Sequence, residues 1–286
     1  MTSLIIVFVI GAPLIKIFSE KMITGPIRQD GPIDHIVKKT GTPTMGGVII
    51  ILGIVLSTLL WADLRNIYVW TLLFVSLSLG GLGLTDDILK IKYKNSTGLK
   101  SIYKFTGQLI IGVLALFILI EYSDHEYLFD LYFPFFKNLV LHMGLFFIPF
   151  GLFVIIGASN AVNLTDGLDG LATVPVMLVA LSFTLISYVV GNTIFSEYLQ
   201  IQYIPDVGEL SIFCGSVVGA CLGFLWYNAP PAKIFMGDTG SLSLGGSLAA
   251  IAIIVKHEIV LAIIGGLFVL ETVSVIIQVI SFKLTG

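Results

Sequence analysis

Long apolar segments separated by short polar ones dominate this sequence and limit the folds it can adopt. A helix that crosses a membrane needs about 20 predominantly apolar residues. Nine segments meet this pattern: residues 4–18, 46–61, 67–84, 105–121, 143–159, 171–190, 210–227, 241–256 and 259–281. Because lipid offers no partner for backbone polar groups, continuous runs this apolar are expected to be helical. The sequence therefore predicts an all-α, polytopic membrane bundle, with residues 1–286 as a single integral membrane domain.

Composition supports a membrane protein. Of the 286 residues 56% are hydrophobic and 12% are charged, with a mean hydropathy of +1.01, whereas soluble domains carry about 25% charged residues. Cys214 and Cys221 both lie in an apolar segment, so we expect them to pack there and not to form a disulfide framework. The N-terminus lacks a positively charged region before its apolar run, and we interpret it as a retained span, not a signal peptide.

Positive charges alternate between the connections. Of the 15 Lys and Arg residues, all but Arg65, Lys137 and Lys256 belong to the odd-numbered connections or to the C-terminal end. The even-numbered connections are acidic. By the positive-inside rule, the odd-numbered connections face the cytoplasm and the N-terminus faces outward.

Three polar segments lie in or beside the predicted cytoplasmic connections. They are residues 85–87 with Lys90, residues 160–170 (NAVNLTDGLDG) and residues 235–241 (FMGDTGS). On a helix, Asp86 and Lys90 would be neighbours one turn apart. Paired carboxylates commonly hold Mg²⁺ together with substrate phosphates. The alternative for the first segment is a helix end that faces headgroup water.

The second segment also allows two interpretations. Asn160 and Asn163 precede Asp166 and Asp169 in a sequence interrupted by glycines. Asn, Asp and Gly are common turn and cap residues, but capping explains only one or two of these positions. The remaining carboxylates and amides could bind a polyphosphate, a metal ion or a sugar.

The third segment precedes the eighth predicted span. Asp238 or Thr239 could cap that helix, or its free N–H groups could bind a phosphate. Phe235 could be an interfacial anchor or a platform for base stacking, and residue properties alone favour the anchor. Acids, amides and lysines thus gather at one predicted face. This pattern indicates Mg²⁺-dependent chemistry on a phosphorylated substrate, whereas a transporter more often places its charges at mid-membrane.

These segments, together with residues 41–47 (GTPTMGG), resemble those of the polyprenyl-phosphate N-acetylhexosamine-1-phosphate transferases, a family of glycosyltransferase 4-type membrane enzymes. Residues 41–47 and 271–279 resemble the branch that transfers phospho-N-acetylmuramoyl-pentapeptide from UDP to undecaprenyl phosphate. That reaction forms lipid I and UMP in peptidoglycan synthesis. Two alternatives stay open: a related transferase for another N-acetylhexosamine phosphate and, in another class, a transporter of anionic solutes.

The resemblance implies roles for individual residues. Asp86, Asp87 and Asp238 match catalytic acids, while Asp238 and Asp166 match ligands of the Mg²⁺ cofactor. The implied substrate-binding residues are Lys39, Lys90, Lys104, Asn160, Asn163, Asp166, Asp169, Asn228, Phe235 and Gln278. The resemblance assigns Phe235 to uracil stacking, against the anchor interpretation. It leaves open whether Asp86 and Asp87 position or deprotonate the lipid phosphate.

The resemblance also implies partners and a location. The expected partners are UDP-MurNAc-pentapeptide, undecaprenyl phosphate, the lipid bilayer and a second copy of the chain; we expect no nucleic acid. The expected location is the bacterial inner membrane, with the active face towards the cytoplasm. Family members continue into a His-rich loop and a tenth span, whereas this sequence ends at Gly286. We therefore expect a truncated sequence with about nine of the ten spans.

Overall fold

A computed structural model describes residues 1–21, 23, 42–93, 98–122, 126–136 and 139–285. The α-helices in these residues are α1 (Thr2–Glu20), α2 (Gly47–Trp61), α3 (Ile67–Tyr93), α4 (Ser101–Tyr122), α5 (Phe147–Thr165), α6 (Thr173–Val190), α7 (Thr193–Leu199), α8 (Leu210–Asn228), α9 (Gly237–Ile254), α10 (Glu258–Ile264) and α11 (Gly266–Thr285). Short 3₁₀ helices occupy Glu126–Phe129, Gly144–Phe146 and Val207–Glu209. Two strands, β1 (Asp130–Tyr132) and β2 (Val140–His142), pair antiparallel between α4 and α5.

The long helices match the apolar segments of the sequence. Eight of them are long and apolar enough to cross a membrane: α1, α3, α4, α5, α6, α8, α9 and α11. α2 is also apolar but has only 15 residues. The prediction of a helical, multi-pass membrane protein is confirmed, while nine crossings and their orientation stay predictions.

Three parts of the fold differ from the prediction. The ninth predicted span is wrong as a single helix, because α10 ends at Ile264 and α11 begins at Gly266. Two adjacent glycines at this point disfavour a continuous helix. The purely helical prediction also missed the β1–β2 hairpin and the short helix α7. Finally, α3 continues past its predicted end to Tyr93, so Asp86 and Asp87 lie within a helix.

The core is organised around α9. Every residue of Thr239–Ile254 is buried, and α9 packs mainly against α3 and α5, and also against α2. A Cβ added to Gly245 would lie 2.5 Å from the carbonyl oxygen of Ala158 in α5, and one added to Gly246 would lie 2.0 Å from Leu79 Cδ1 in α3. Such close approach through small residues is typical of packed membrane helices. The first turn of α9 is thereby brought against the end of α3.

Polar side chains inside the bundle are hydrogen-bonded across helices. Ser76 Oγ of α3 lies 2.9 Å from Ser243 Oγ of α9, and the Ser243 hydroxyl also contacts the Ser76 carbonyl oxygen at 2.8 Å. Hydrogen bonds between membrane helices contribute about 0.6 kcal/mol each, so they align helices more than they stabilise them. Cys214 and Cys221 are free and buried in α8, which confirms that they are packing residues.

Candidate active site

Two carboxylates and two lysines form an ion-pair chain where α3, α4 and α9 meet. Lys90 Nζ lies 2.6 Å from Asp86 Oδ2, one turn earlier in α3, and 3.0 Å from Asp238 Oδ1 in α9. Lys104 Nζ, from the first turn of α4, lies 2.5 Å from Asp238 Oδ2. The side chain of Asp238 is 13% exposed. The predicted one-turn spacing of Asp86 and Lys90 therefore produces a contact, and the two lysines fix the Asp238 carboxylate from both sides.

Backbone N–H groups complete the environment of Asp86. Its Oδ1 accepts a hydrogen bond of 2.6 Å from the N–H of Leu99, in the connection between α3 and α4. The preceding residue, Gly98, has a φ of +52°, and a Cβ there would lie 2.5 Å from the same Asp86 oxygen. A side chain at position 98 would therefore collide with the carboxylate that its neighbour binds. This position thus favours glycine for both space and conformation.

Asp87 caps the N-terminus of α9. Its Oδ1 accepts from the N–H of Asp238 at 3.2 Å, and its Oδ2 accepts from the N–H and the hydroxyl of Thr239 at 3.0 and 2.7 Å. A carboxylate is stabilised there because the free N–H groups and the helix dipole are both positive at that end. The prediction that Asp238 or Thr239 caps α9 is wrong, since the N-cap position is Met236 and the capping side chain comes from α3. Asp87 thus joins two helices at the site.

Glycines permit the close contacts of this junction. A Cβ on Gly83 of α3 would lie 2.2 Å from the carbonyl oxygen of Asp238. A Cβ on Gly47 of α2 would lie 2.0 Å from the backbone nitrogen of Gly240. Both neighbours are backbone atoms that cannot rotate away. The glycines therefore set the distances of α2 and α3 from the start of α9.

Residues 41–47 (GTPTMGG) and the third polar segment, residues 235–241, are hydrogen-bonded to each other. The N–H groups of Gly46 and Gly47 donate to the carbonyl oxygens of Phe235 and Met236, each at 2.8 Å. In return, the N–H of Phe235 donates to the carbonyl oxygen of Pro43 at 2.9 Å. The half-buried Phe235 is therefore held by its backbone beside the cluster, and its stacking role stays a prediction.

The amides of the second motif join α5 to its neighbours. Asn160 Nδ2 donates to Gln108 Oε1 in α4 at 3.0 Å, while Gln108 Nε2 donates to Ser159 Oγ at 3.2 Å. Asn163 Nδ2 donates to Ser241 Oγ in the first turn of α9 at 2.8 Å. Asn160 and Asn163 lie within α5, because this helix continues past the predicted end of its span at residue 159 to Thr165. Gln108 was not predicted, although a lone amide one turn after Lys104 in an apolar helix was a usable signal.

The end of the second motif is braced against the segment after α8. Asn228 is buried; its Oδ1 accepts from the N–H of Gly170 at 3.1 Å and the hydroxyl of Thr173 at 2.9 Å, while its Nδ2 donates to the Ile234 carbonyl at 3.0 Å. Asp169 Oδ2 accepts from the N–H of Ala232 at 3.1 Å. Both side chains therefore have a structural role, and their contacts with substrate stay predictions.

The remaining predicted residues are Lys39, Gln278 and Asp166. Lys39 is outside the described residues. Gln278 is exposed on α11, where its side chain donates to Ser274 of the same helix at 3.3 Å. Asp166 follows the last residue of α5 and is half-buried. The roles predicted for these three residues stay predictions.

A divalent cation could be held by three of the carboxylates. Asp86, Asp87 and Asp238 each offer an oxygen, and these oxygens lie within 4.8 Å of one another. Asp166 is not a member of this group. Carboxylate oxygens are the protein ligands that Mg²⁺ prefers, so the donor set fits a hard divalent ion. The acids and lysines together suit a substrate that carries several phosphate oxygens.

The fold and the site define a multi-pass membrane protein with a cluster of carboxylates and lysines at one end of its helices. Family comparisons agree with this class. The model of glycosyl transferase family 4 matches residues 69–256, and the phospho-N-acetylmuramoyl-pentapeptide-transferase signature 1 matches residues 39–51. A phospho-N-acetylmuramoyl-pentapeptide-transferase of Pelagibacter ubique (strain HTCC1062) is 64% identical over 285 residues, which cover 100% of this chain and 79% of the relative. The chain belongs to the phospho-N-acetylmuramoyl-pentapeptide transferases of glycosyl transferase family 4.

Proposed function

We propose that the chain transfers phospho-N-acetylmuramoyl-pentapeptide from its UDP carrier to undecaprenyl phosphate, with formation of lipid I and release of UMP. A phosphate oxygen of the lipid forms a bond to the phosphorus that carries the sugar. The bond from this phosphorus to the bridging oxygen of UMP breaks. Family membership supports this reaction. The observation that carries it is Asp238, held between Lys90 and Lys104 beside Asp86 and Asp87.

The proposal includes Mg²⁺ as the cofactor. Asp86, Asp87 and Asp238 would hold the ion together with substrate phosphates, because carboxylate and phosphate oxygens are the hard ligands that Mg²⁺ prefers. When bound, the ion neutralises charge on the diphosphate. The support is the donor chemistry of the three acids and the short distances between their oxygens. Asp166 was expected to contribute from its own loop, and it has no such support.

The lysines neutralise phosphate charge from the protein side. Phosphoryl transfer depends mainly on positioning and on the neutralisation of charge. Lys90 and Lys104 already have their ammonium groups directed at one carboxylate, and their side chains are 23% and 18% exposed. An entering diphosphate can therefore reach them without unfolding either helix. We infer that these ammonium groups exchange part of their contact with Asp238 for phosphate oxygens.

The two neighbouring acids have different parts in this proposal. Asp87 accepts three hydrogen bonds from the first turn of α9, so both of its oxygens are engaged in fixing Asp238. Asp86 contacts Lys90 and the connection that follows α3. The lipid phosphate is already ionised at neutral pH, so no strong base is required. We therefore propose positioning roles for both acids. The test is the pH–rate profile of Asp86→Asn and of Asp87→Asn. If the fall in rate at acidic pH is unchanged in both variants, both acids have positioning roles. If it is lost in either variant, that acid is the general base.

The proposed site faces the cytoplasm of the bacterial inner membrane. The support is charge distribution: Lys90 and Lys104 belong to the lysine-rich connection between α3 and α4. Positive charge is retained on the cytoplasmic side. A nucleotide-linked substrate is also made in the cytoplasm. The homodimer remains an expectation of the family resemblance.

UMP release by the purified full chain tests the proposal. The assay contains undecaprenyl phosphate, UDP-MurNAc-pentapeptide and Mg²⁺ in detergent. Asp238→Asn is expected to lower the rate on the order of 100-fold or more, as loss of a preorganised charged group at a reacting centre does. Asp206→Asn is the matched control, because Asp206 is exposed and its φ of +63° also suits asparagine.

The other outcomes separate the alternatives. UMP release with UDP-GlcNAc but not with the muramoyl substrate indicates a related transferase. Flux of an anionic solute into vesicles without UMP release indicates a transporter. A folded chain that releases no UMP from either nucleotide sugar contradicts the proposal.

A further inference from the structure

A second polar site lies at the end of the bundle opposite the carboxylate cluster. It is a cavity of about 500 Å³, walled by the β1–β2 hairpin, residues 200–202 and the start of α10. Asp238 lies in the first turn of α9 and Lys256 two residues beyond its end. The 18-residue helix between them is about 27 Å long at 1.5 Å per residue. The cavity is therefore separate from the proposed active site, and its volume is within the range of small-molecule sites.

The lysine of this cavity has its charge compensated inside the protein. Lys256 is 2% exposed, and its Nζ donates to Glu258 Oε1 and to the carbonyl oxygen of Leu128, both at 2.9 Å. The same ammonium lies 3.8 Å from the centre of the Phe147 ring. Burial lowers the pKa of Lys256, and the neighbouring Glu258 carboxylate opposes this shift. An anionic ligand would have to compete with Glu258, so the cavity is poorly suited to bind anions.

Asp130 gives the cavity an excess of negative charge. Its side chain is 11% exposed and contacts His142 Nδ1, the residue directly opposite on β2. A neutral imidazole can donate this hydrogen bond, and the His142 side chain is 82% exposed. Among the described residues around the cavity, the buried carboxyl groups of Asp130 and Glu258 face the single buried ammonium of Lys256. Burial raises the pKa of Glu258 and the Lys256 ammonium opposes this shift, so the negative charge that the pair does not balance is that of Asp130. Burial, and then the Asp130 carboxylate, raise the pKa of Tyr132 to about 12.

The cavity is also rich in hydrogen-bond acceptors. His257 Nδ1 lies 2.6 Å from the carbonyl oxygen of Val255, so this nitrogen carries the proton. Burial lowers the pKa of His257, which keeps the ring neutral and leaves Nε2 as an acceptor. The side-chain amide of Gln202 lines the same cavity, where its Oε1 accepts a hydrogen bond from the Tyr132 hydroxyl at 3.5 Å. A ligand that supplies N–H donors and positive charge would match this lining.

We propose that the cavity binds a primary ammonium group, with Asp130 as its charged acceptor. Exposed aromatic and apolar side chains occur in the segments next to the cavity walls in sequence: Phe135 and Phe146 beside the strands of the hairpin, and Ile194 and Tyr198 on α7. Of these, Tyr198 is of a residue type enriched where a membrane protein meets the headgroup layer. The ammonium can therefore come from an aminophospholipid headgroup at this membrane face or from a soluble amine. A quaternary ammonium has the same charge but no N–H donor, so a ligand that carries one is the matched negative control.

Native mass spectrometry of the full chain tests this proposal. Phosphatidylethanolamine and phosphatidylcholine with identical acyl chains are titrated, and free ethanolamine is the soluble probe. We expect wild-type protein to bind phosphatidylethanolamine about tenfold more tightly than phosphatidylcholine, equivalent to about 1.4 kcal/mol. Asp130→Asn is expected to remove this preference. Glu197→Gln, which neutralises an exposed carboxylate on α7 outside the cavity, is expected to keep it.

A second variant distinguishes loss of the site from loss of the fold. Val260→Phe narrows the cavity while leaving Asp130 intact, and it should also remove the preference without lowering the unfolding temperature. If only ethanolamine binds, and its binding depends on Asp130, the ammonium comes from a soluble amine. If the protein prefers phosphatidylethanolamine to phosphatidylcholine and does not bind ethanolamine, the ammonium comes from the lipid headgroup. Equal binding of both lipids without ethanolamine binding overturns the proposal. A preference that survives Asp130→Asn overturns it as well.

Discussion

Replacement of Thr239 by valine tests whether Asp87 fixes the first turn of α9. The Thr239 hydroxyl donates to Asp87 Oδ2 at 2.7 Å in a buried position, and valine removes only this hydroxyl. A hydrogen bond to a charged partner contributes about 1.5–3 kcal/mol, and one between neutral partners about 0.5–1.5 kcal/mol. We therefore expect Thr239→Val to lower the free energy of unfolding by about 2 kcal/mol in the wild-type chain.

The double-mutant cycle with Asp87→Asn isolates the interaction. Asparagine keeps one acceptor oxygen but loses the charge, so Thr239→Val should cost only about 1 kcal/mol in that background. The expected coupling energy is thus about 1 kcal/mol, within the range for residues in contact. Unfolding is followed by denaturant titration of all four proteins in one detergent. Thr106→Val is the control, because its hydroxyl bonds only to the Ile102 carbonyl on the exposed surface of α4. Additive costs would falsify the capping role of Asp87.

Two further predictions concern the packing around the site. Gly47→Ala places a Cβ within 2.0 Å of the Gly240 backbone nitrogen, so we expect loss of folded protein in size-exclusion chromatography. Gly81→Ala, where no atom lies within 4 Å, should keep or raise the unfolding temperature. Gln108→Leu removes an acceptor of the half-buried Asn160 amide and should cost about 1–3 kcal/mol in the same unfolding assay. An unchanged stability would show that this amide pair contributes nothing.

The sequence was sufficient for the long helices, except for the break between α10 and α11, and for one contact within a helix. Apolar runs located every long helix, because lipid leaves the backbone no alternative to internal hydrogen bonds. The one-turn spacing of Asp86 and Lys90 also predicted their contact. The N-cap of α7 was also predictable, because Asn is a preferred N-cap residue. In the structure Asn192 accepts hydrogen bonds from the N–H groups of Ile194 and Phe195. We missed α7 because it is too short for a span.

Contacts between distant parts of the chain were not predictable. Asp87 and Thr239 are separated by 152 positions, and nothing local in either motif indicates that one caps the helix of the other. The three-residue strands of the hairpin show no clear alternation of apolar and polar residues. The cavity near Lys256 depends on three segments that are distant in sequence. In the sequence, only the residue types of these segments, a lysine and acids in apolar surroundings, indicate a polar site.

The position of the proposed active site follows from helix packing more than from the site residues themselves. Gly47 and Gly83 set the distances of two helices from the start of α9, and Asp87 binds the N–H groups of that first turn. Asp238 is in the same turn, so any change that displaces α9 also displaces this carboxylate from Lys104. Thr239→Val, which loosens this turn without removing a carboxylate, should therefore impair the chemistry through geometry, whereas Asp238→Asn impairs it through charge. Excess Mg²⁺ can compensate a loss of charge but not a displaced helix, and a metal titration of the two variants separates these causes.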